Sequence, residues 1–215
     1  MNSPSLSPPA HALRVLAVIV AIAIASALTA CTLSRPAVAK RTFLLEPALP
    51  PMASVQKLAS VRVGLVNVSA PYRGKAFVYR QGEIKFEADF YNEFFVAPTA
   101  MLSETTARAL AAANVFRRVI PPGATDAGDF VLDGFASEFY GDMREAGKPA
   151  AVVAITYYLL PANSTVPTVI WSREYQQRVP VTEPTPDGFA RAWNTALAAI
   201  LADLARDLAA ADLPK

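Results

Sequence analysis

Apolar and polar residues alternate along "SVRVGLVNVSAP" (60–71), and the stretch is rich in β-branched residues. That two-residue period is the signature of a strand with one buried face. The same reasoning predicts a first strand in "RTFLLE" (41–46), followed by the loop "PALPPMASVQKLA". Next comes a hairpin in which "QGE" turns "AFVYR" into "IKFEADF". In the second arm Glu83, Lys85, Glu87 and Asp89 alternate with Ile84, Phe86, Ala88 and Phe90, which predicts a solvated charged face and an apolar face turned inward.

The period then lengthens. From Pro98, which suits a first helical turn because its missing N–H costs nothing there, Met101, Leu102, Thr105, Ala109 and Leu110 recur at helical spacing. Asn114 serves as the stop. A short strand "VFRRVI" and the loop "PPGATDAGD" lead into strands at 130–143, 150–162 and 167–181. Thr185 caps a final helix, with Pro186 at its first position and Asp187 beside its positive end. Its stripe of Phe189, Trp193, Leu197, Ile200, Leu201, Leu204 and Leu208 falls every three or four residues, as one buried face requires. Strands, a helix, more strands and a helix predict an α+β single domain. Its sheet should be mixed and largely antiparallel, of roughly six to eight strands, with two amphipathic helices packed on one face.

The N-terminus has a different pattern. "MNSPSLSPPAHALR" holds Arg14 and no acidic residue, and "VLAVIVAIAIASAL" follows as an uncharged, mostly apolar run. At about fourteen residues the run is short for a bilayer, which takes roughly 20, and it matches a secretory signal peptide. A short retained anchor is the alternative. The run ends in "LTAC" (28–31), whose Cys31 is the only cysteine of the chain. This resembles the lipobox of bacterial lipoproteins, which implies a diacylglyceryl group on Cys31 and cleavage after Ala30. The expected organisation is a lipoprotein signal peptide over 1–30, an acylated tether over 31–40 and a periplasmic domain over 41–215. More than one acyl chain on Cys31 would hold the protein stably at the membrane. By the rule followed in many proteobacteria, Thr32 after the cysteine, in place of aspartate, implies the outer membrane.

Composition narrows the chemistry. The chain carries net charge +2, or +1 once Arg14 leaves with the signal segment, so no nucleic-acid partner is expected. His11 is the only histidine and leaves with the same segment. With Cys31 acylated, neither imidazole nor thiol remains for a nucleophilic triad or a His/Cys metal site. Carboxylates cluster at Glu83–Glu93 and at Glu138 and Asp142, and they read as solvated strand faces. No enzyme activity, metal or cofactor is expected. Tyr72, Tyr79, Phe94, Tyr140, Tyr157, Tyr158 and Tyr175 read as core or sheet-surface residues, with a lipid-facing or partner-facing surface as the alternative.

The order of lipobox, "RTFLL", "SVRVGLVNVSAPY", "VYRQGEIKFEADFYNEFFVAPTAMLSETTARAL" and "GFARAWNTALAAILADLARDL" resembles the ABC-type transport auxiliary lipoprotein family over roughly 41–210. The resemblance implies a non-catalytic outer-membrane subunit of an ABC/MCE-type system moving phospholipids or other lipids between membranes. Its partners would be an MCE-domain periplasmic protein with its ABC permease and ATPase, and a homo-oligomer is a further expectation. Two other readings stay open: a structural lipoprotein of an outer-membrane assembly or secretion complex, and a lipid carrier with its own pocket.

Overall fold

A computed structural model describes residues 14–15, 18–20, 39–54 and 56–213. Cys31 and the cleavage position lie outside the described residues, as does the tether before Ala39. The folded unit is Lys40–Lys215.

Its strands are β1 (Arg41–Phe43), β2 (Lys57–Val68), β3 (Ala76–Arg80), β4 (Phe86–Phe94), β5 (Phe116–Ile120), β6 (Phe130–Asp142), β7 (Ala150–Pro161) and β8 (Trp171–Pro180). Helix α1 (Pro98–Ala113) lies between β4 and β5, and α2 (Pro186–Ala210) follows β8. All eight strands join one mixed sheet. Its two longest ladders, β6–β7 and β7–β8, are antiparallel, as is the β3–β4 hairpin.

β6 organises the sheet. Along one edge it pairs with β7 over its full length. Along the other it pairs first with β2, from Phe130 to Ala136, and then with β3, at Gly141 and Asp142. β2 and β3 therefore stand end to end on one strand, linked by a 3-10 turn at Ala70–Tyr72. β5 extends the sheet from β2, and β4 and β1 extend it from β3.

Residues that face each other in register share a side of the sheet. Val61, Val63, Phe130, Leu132, Ile155, Tyr157 and Leu159 are buried on the side that carries the helices. α1 packs on β2 and β5, and α2 on β7 and β8. α1 is fixed by polar bonds as well as by packing. At the irregularity between Val63 and Val66 in β2, the Val66 N–H donates to Ser103 Oγ at 2.8 Å, and that hydroxyl donates to Thr99 O at 2.6 Å. The Thr106 and Tyr157 hydroxyls meet at 2.9 Å, tying α1 to β7. Asn114 ends the helix in the left-handed conformation, φ 55°, which asparagine tolerates better than most residues.

α2 begins as its sequence predicts, with the Gly188 N–H donating to Thr185 Oγ1 at 3.2 Å. Its first turns bury an aromatic cluster. Trp193 lies 4.8 Å from Phe77, 5.5 Å from Phe94 and 5.7 Å from Phe139 and Phe189, between ring centroids. Gly141 lets this cluster close, because a Cβ there would stand 2.7 Å from both Phe189 and Tyr79.

One expectation is overturned. The apolar side of the hairpin's second arm does not turn inward: Ile84 is 93 % exposed, Phe90 72 % and Phe86 41 %. Two physical causes account for this. Glu87 and Ala88 are exposed as well, so both faces of the strand there project beyond the helices. The strand also bulges, because β4 pairs with β3 at Phe86–Ala88 and again only at Glu93. Between these points Asp89 Oδ1 accepts the N–H groups of Tyr91 and Asn92 at 2.8 and 3.0 Å, a local bond that competes with the ladder.

Candidate functional site: the open face of the sheet

The side of the sheet away from the helices carries two neighbouring surfaces, one on each half of β6. Over the second half, register places Glu138, Tyr140 and Asp142 beside Ala154, Val152 and Ala150 of β7, with Gln176, Arg178 and Pro180 of β8 beyond. Arg80 lies opposite Asp142 and Phe86 opposite Arg80. Tyr72 stacks on Tyr140 at 5.6 Å, Phe86 meets Tyr140 edge-on at 5.8 Å, and the Arg80 guanidinium lies 5.3 Å from the Phe86 ring. This lid of side chains buries Ala150, Val152 and Ala154 although no helix covers them.

Asp142 holds the lid at its edge. It is 1 % exposed and receives Arg144 twice, at 3.0 and 2.6 Å, the Arg144 N–H at 3.1 Å, and Arg178 at 2.5 Å. These donors hold its carboxyl well below the usual carboxylate range, the Arg144 side chain most of all. A depressed folded pKa contributes stability above the unfolded value, about 3.9, and loses it as pH falls toward the folded one. Asp142→Asn should therefore cost about 1–3 kcal/mol at pH 7, with the gap to wild type narrowing from about pH 5 downward. Urea midpoints for both chains across that range check this, and a gap that widens on acidification would contradict it.

The remaining carboxylates singled out from sequence are also in use. Glu138 accepts from Gln176 at 2.8 Å and from the Tyr140 hydroxyl at 3.3 Å. Glu93 pairs with Lys40 at 2.9 Å, Glu87 accepts from Gln81, and Asp89 caps the bulge. Glu83 is exposed. Among the described residues, no group of three His, Cys, Asp or Glu side chains is arranged to hold a metal ion. Tyr72, Phe94, Tyr140, Tyr157 and Tyr175 are buried, in line with the core reading, Tyr79 is half-buried, and Tyr158 is half-buried on the open face of the sheet. Burial raises the phenols of Tyr72, Tyr79, Tyr157 and Tyr175, with Tyr157 pushed up to about 12, so none is an acid or base near neutral pH.

Over the first half of β6 the open face is a shallow groove of about 510 Å³. Leu65, Phe135 and Tyr158 supply its apolar surface, Arg62 and Asp133 its charges, and Pro122 and Gly123 its rim. Leu65 is 54 % exposed and Phe135 42 %. Sequence reasoning missed both. Leu65 falls at the irregularity in β2, where alternation breaks, and Phe135 carries no signal distinguishing an open face from a covered one. Apolar area with a few charges at its border can bind another surface.

No protein-family model matches the chain, and no curated protein matches it. Solved structures do. A Xanthomonas campestris protein of the family model DUF330 aligns with TM-score 0.68 at 17% identity, covering 77% of this chain and 92% of its own. An uncharacterised protein aligns with TM-score 0.61 at 16% identity, covering 79% and 99%. A looser match, TM-score 0.36 at 14% identity over 68% and 98%, is to lipoprotein GNA1162 of Neisseria meningitidis. At these identities the first two establish a shared fold and leave function to be argued from the residues.

Proposed function

We propose that this chain is a non-catalytic, lipid-anchored subunit of an ABC/MCE-type transporter, one that moves phospholipids or other lipids between membranes. Cys31 holds it at the outer membrane, facing the periplasm, and the domain docks an MCE-domain protein that works with an ABC permease and ATPase. The observation that carries this reading is the open sheet face. It offers Leu65 and Phe135 to a partner, while Glu138 and Asp142 are committed to structural bonds. The LTAC motif supports the anchor, and the family resemblance supports the transport system. The shallow groove fits docking better than carriage of a lipid, because a carrier needs a pocket that encloses most of its ligand.

The test is the solution mass of residues 34–215, alone and with the MCE-domain protein encoded nearby. A stable complex is expected. A strict monomer that ignores that partner would favour a structural lipoprotein of an assembly or secretion complex.

A further inference from the structure

The edge of the sheet where the chain enters the domain has a composition that the docking role does not use. β1 is the outermost strand of its branch and pairs with β4 only from Asn92 to Phe94. Phe43 and Phe94 turn into the aromatic core, 5.0 and 4.6 Å from Phe77. Alternation along the pair therefore sends Leu44, Tyr91 and Phe95 to the opposite side. They stay uncovered there, with Leu44 51 % exposed, Tyr91 48 % and Phe95 60 %. The bulge adds Phe90, whose ring meets Tyr91 edge-on at 5.1 Å. Thr42 and Glu93 stand on the same side between Tyr91 and Phe95, with Glu93 paired to Lys40 at 2.9 Å. Lys40 Nζ also lies 5.8 Å from the centre of the Phe90 ring, and Lys75 donates to the Phe95 carbonyl at 2.9 Å.

The chain itself says what lies opposite. Lys40 sits inside this patch, and nine peptide steps separate it from Cys31. Fully extended, they reach about 30 Å, less than the roughly 40 Å width of a domain of this size, with a radius of gyration near 16 Å. If Cys31 is acylated, the edge carrying Lys40 stays within about 30 Å of the lipid and cannot turn to the far side of the domain. Exposed aromatic rings flanked by lysines are the composition that settles at the headgroup boundary.

We propose that this edge, with Phe90, Tyr91, Phe95 and Leu44, is the membrane-facing surface of the domain and rests in the headgroup region of the bilayer that holds the anchor. The inference depends on acylation of Cys31. The acyl chains supply the binding and the patch supplies orientation, so the patch need not hold the membrane alone. Docked this way, the β1 edge is against lipid, which leaves the groove at Leu65 and Phe135 for a protein partner.

The experiment uses the full lipoprotein reconstituted in phosphatidylethanolamine–phosphatidylglycerol vesicles containing spin-labelled lipid. With Cys31 acylated, an introduced cysteine is the sole free thiol. An environment-sensitive fluorophore is placed on Phe90→Cys, Phe95→Cys or Val166→Cys. Val166 is an exposed control in the loop after Pro161, which pairs with Phe130 at the other end of β6 from β3. Flotation reports the anchor and quenching reports the patch. The expected result is flotation of all three, with several-fold stronger quenching at 90 and 95 than at 166. Flotation with equal quenching, or with none at 90 and 95, overturns the orientation and leaves the anchor standing. Failure to float overturns the anchor and the orientation together. Probes at 90 and 95 that the lipid-borne quencher does not reach and that an aqueous iodide quencher does not reach either would show a protein occupying the edge, and would overturn the lipid assignment.

Discussion

Replacing Trp193 with alanine is expected to lower the stability of the domain by about 3–5 kcal/mol. The indole is 1 % exposed and contacts rings from β3, β4, β6 and its own helix. Its Nε1–H donates to the Tyr140 carbonyl at 3.3 Å, so the change opens a cavity and unpairs a buried acceptor. Native domains have only about 5–15 kcal/mol in hand, and the melting temperature should fall by roughly 10 °C. Trp193→Phe fills most of the space and should cost about half as much. Urea unfolding with an unchanged slope is the appropriate measurement. A wild-type midpoint for Trp193→Ala would mean that this cluster does not hold α2 to the sheet.

The second large effect belongs to the open face. If the domain docks an MCE-domain protein as proposed, Leu65→Asp together with Phe135→Asp should weaken that binding at least tenfold. Covering the exposed half of each side chain is worth about 1 kcal/mol apiece, a carboxylate buried in its place costs about as much again or more, and a tenfold loss needs only about 1.4. Both side chains are about half exposed and lie in strands, where aspartate is disfavoured, so folding should also lose on the order of 1 kcal/mol per change. Titration of the labelled domain with the partner, beside a urea curve for each chain, separates the two quantities. Full binding by the double variant would place the partner elsewhere.

The backbone plan was legible because local rules agreed with one another. "AFVYR" became β3 over the predicted residues, Pro98 opened α1, and Thr185 opened α2 with its side chain on the Gly188 N–H. The stripe from Phe189 to Leu208 became the buried side of α2. What stayed illegible is non-local. A two-residue period says which residues share a face and is silent on whether anything covers that face, so Phe86 and Phe90 were expected inside and are outside. Asp89 reads as one charge in an alternating series, yet its bonds to the next residues bend the strand. The end-to-end seating of β2 and β3 on β6 depends on pairing across some sixty residues, which no local pattern encodes. Leu65, Phe135 and the β1 edge were missed for the same reason. Cys31 is the reverse case: the sequence motif singles it out, and it lies outside the described residues.

The most direct test of the account is the intact mass of the chain extracted from cell membranes in mild detergent. A polypeptide beginning at Cys31, carrying a diacylglyceryl thioether and an amide-linked acyl chain, is the expected result. A chain that keeps residues 1–30, or one with an unmodified Cys31, would contradict it.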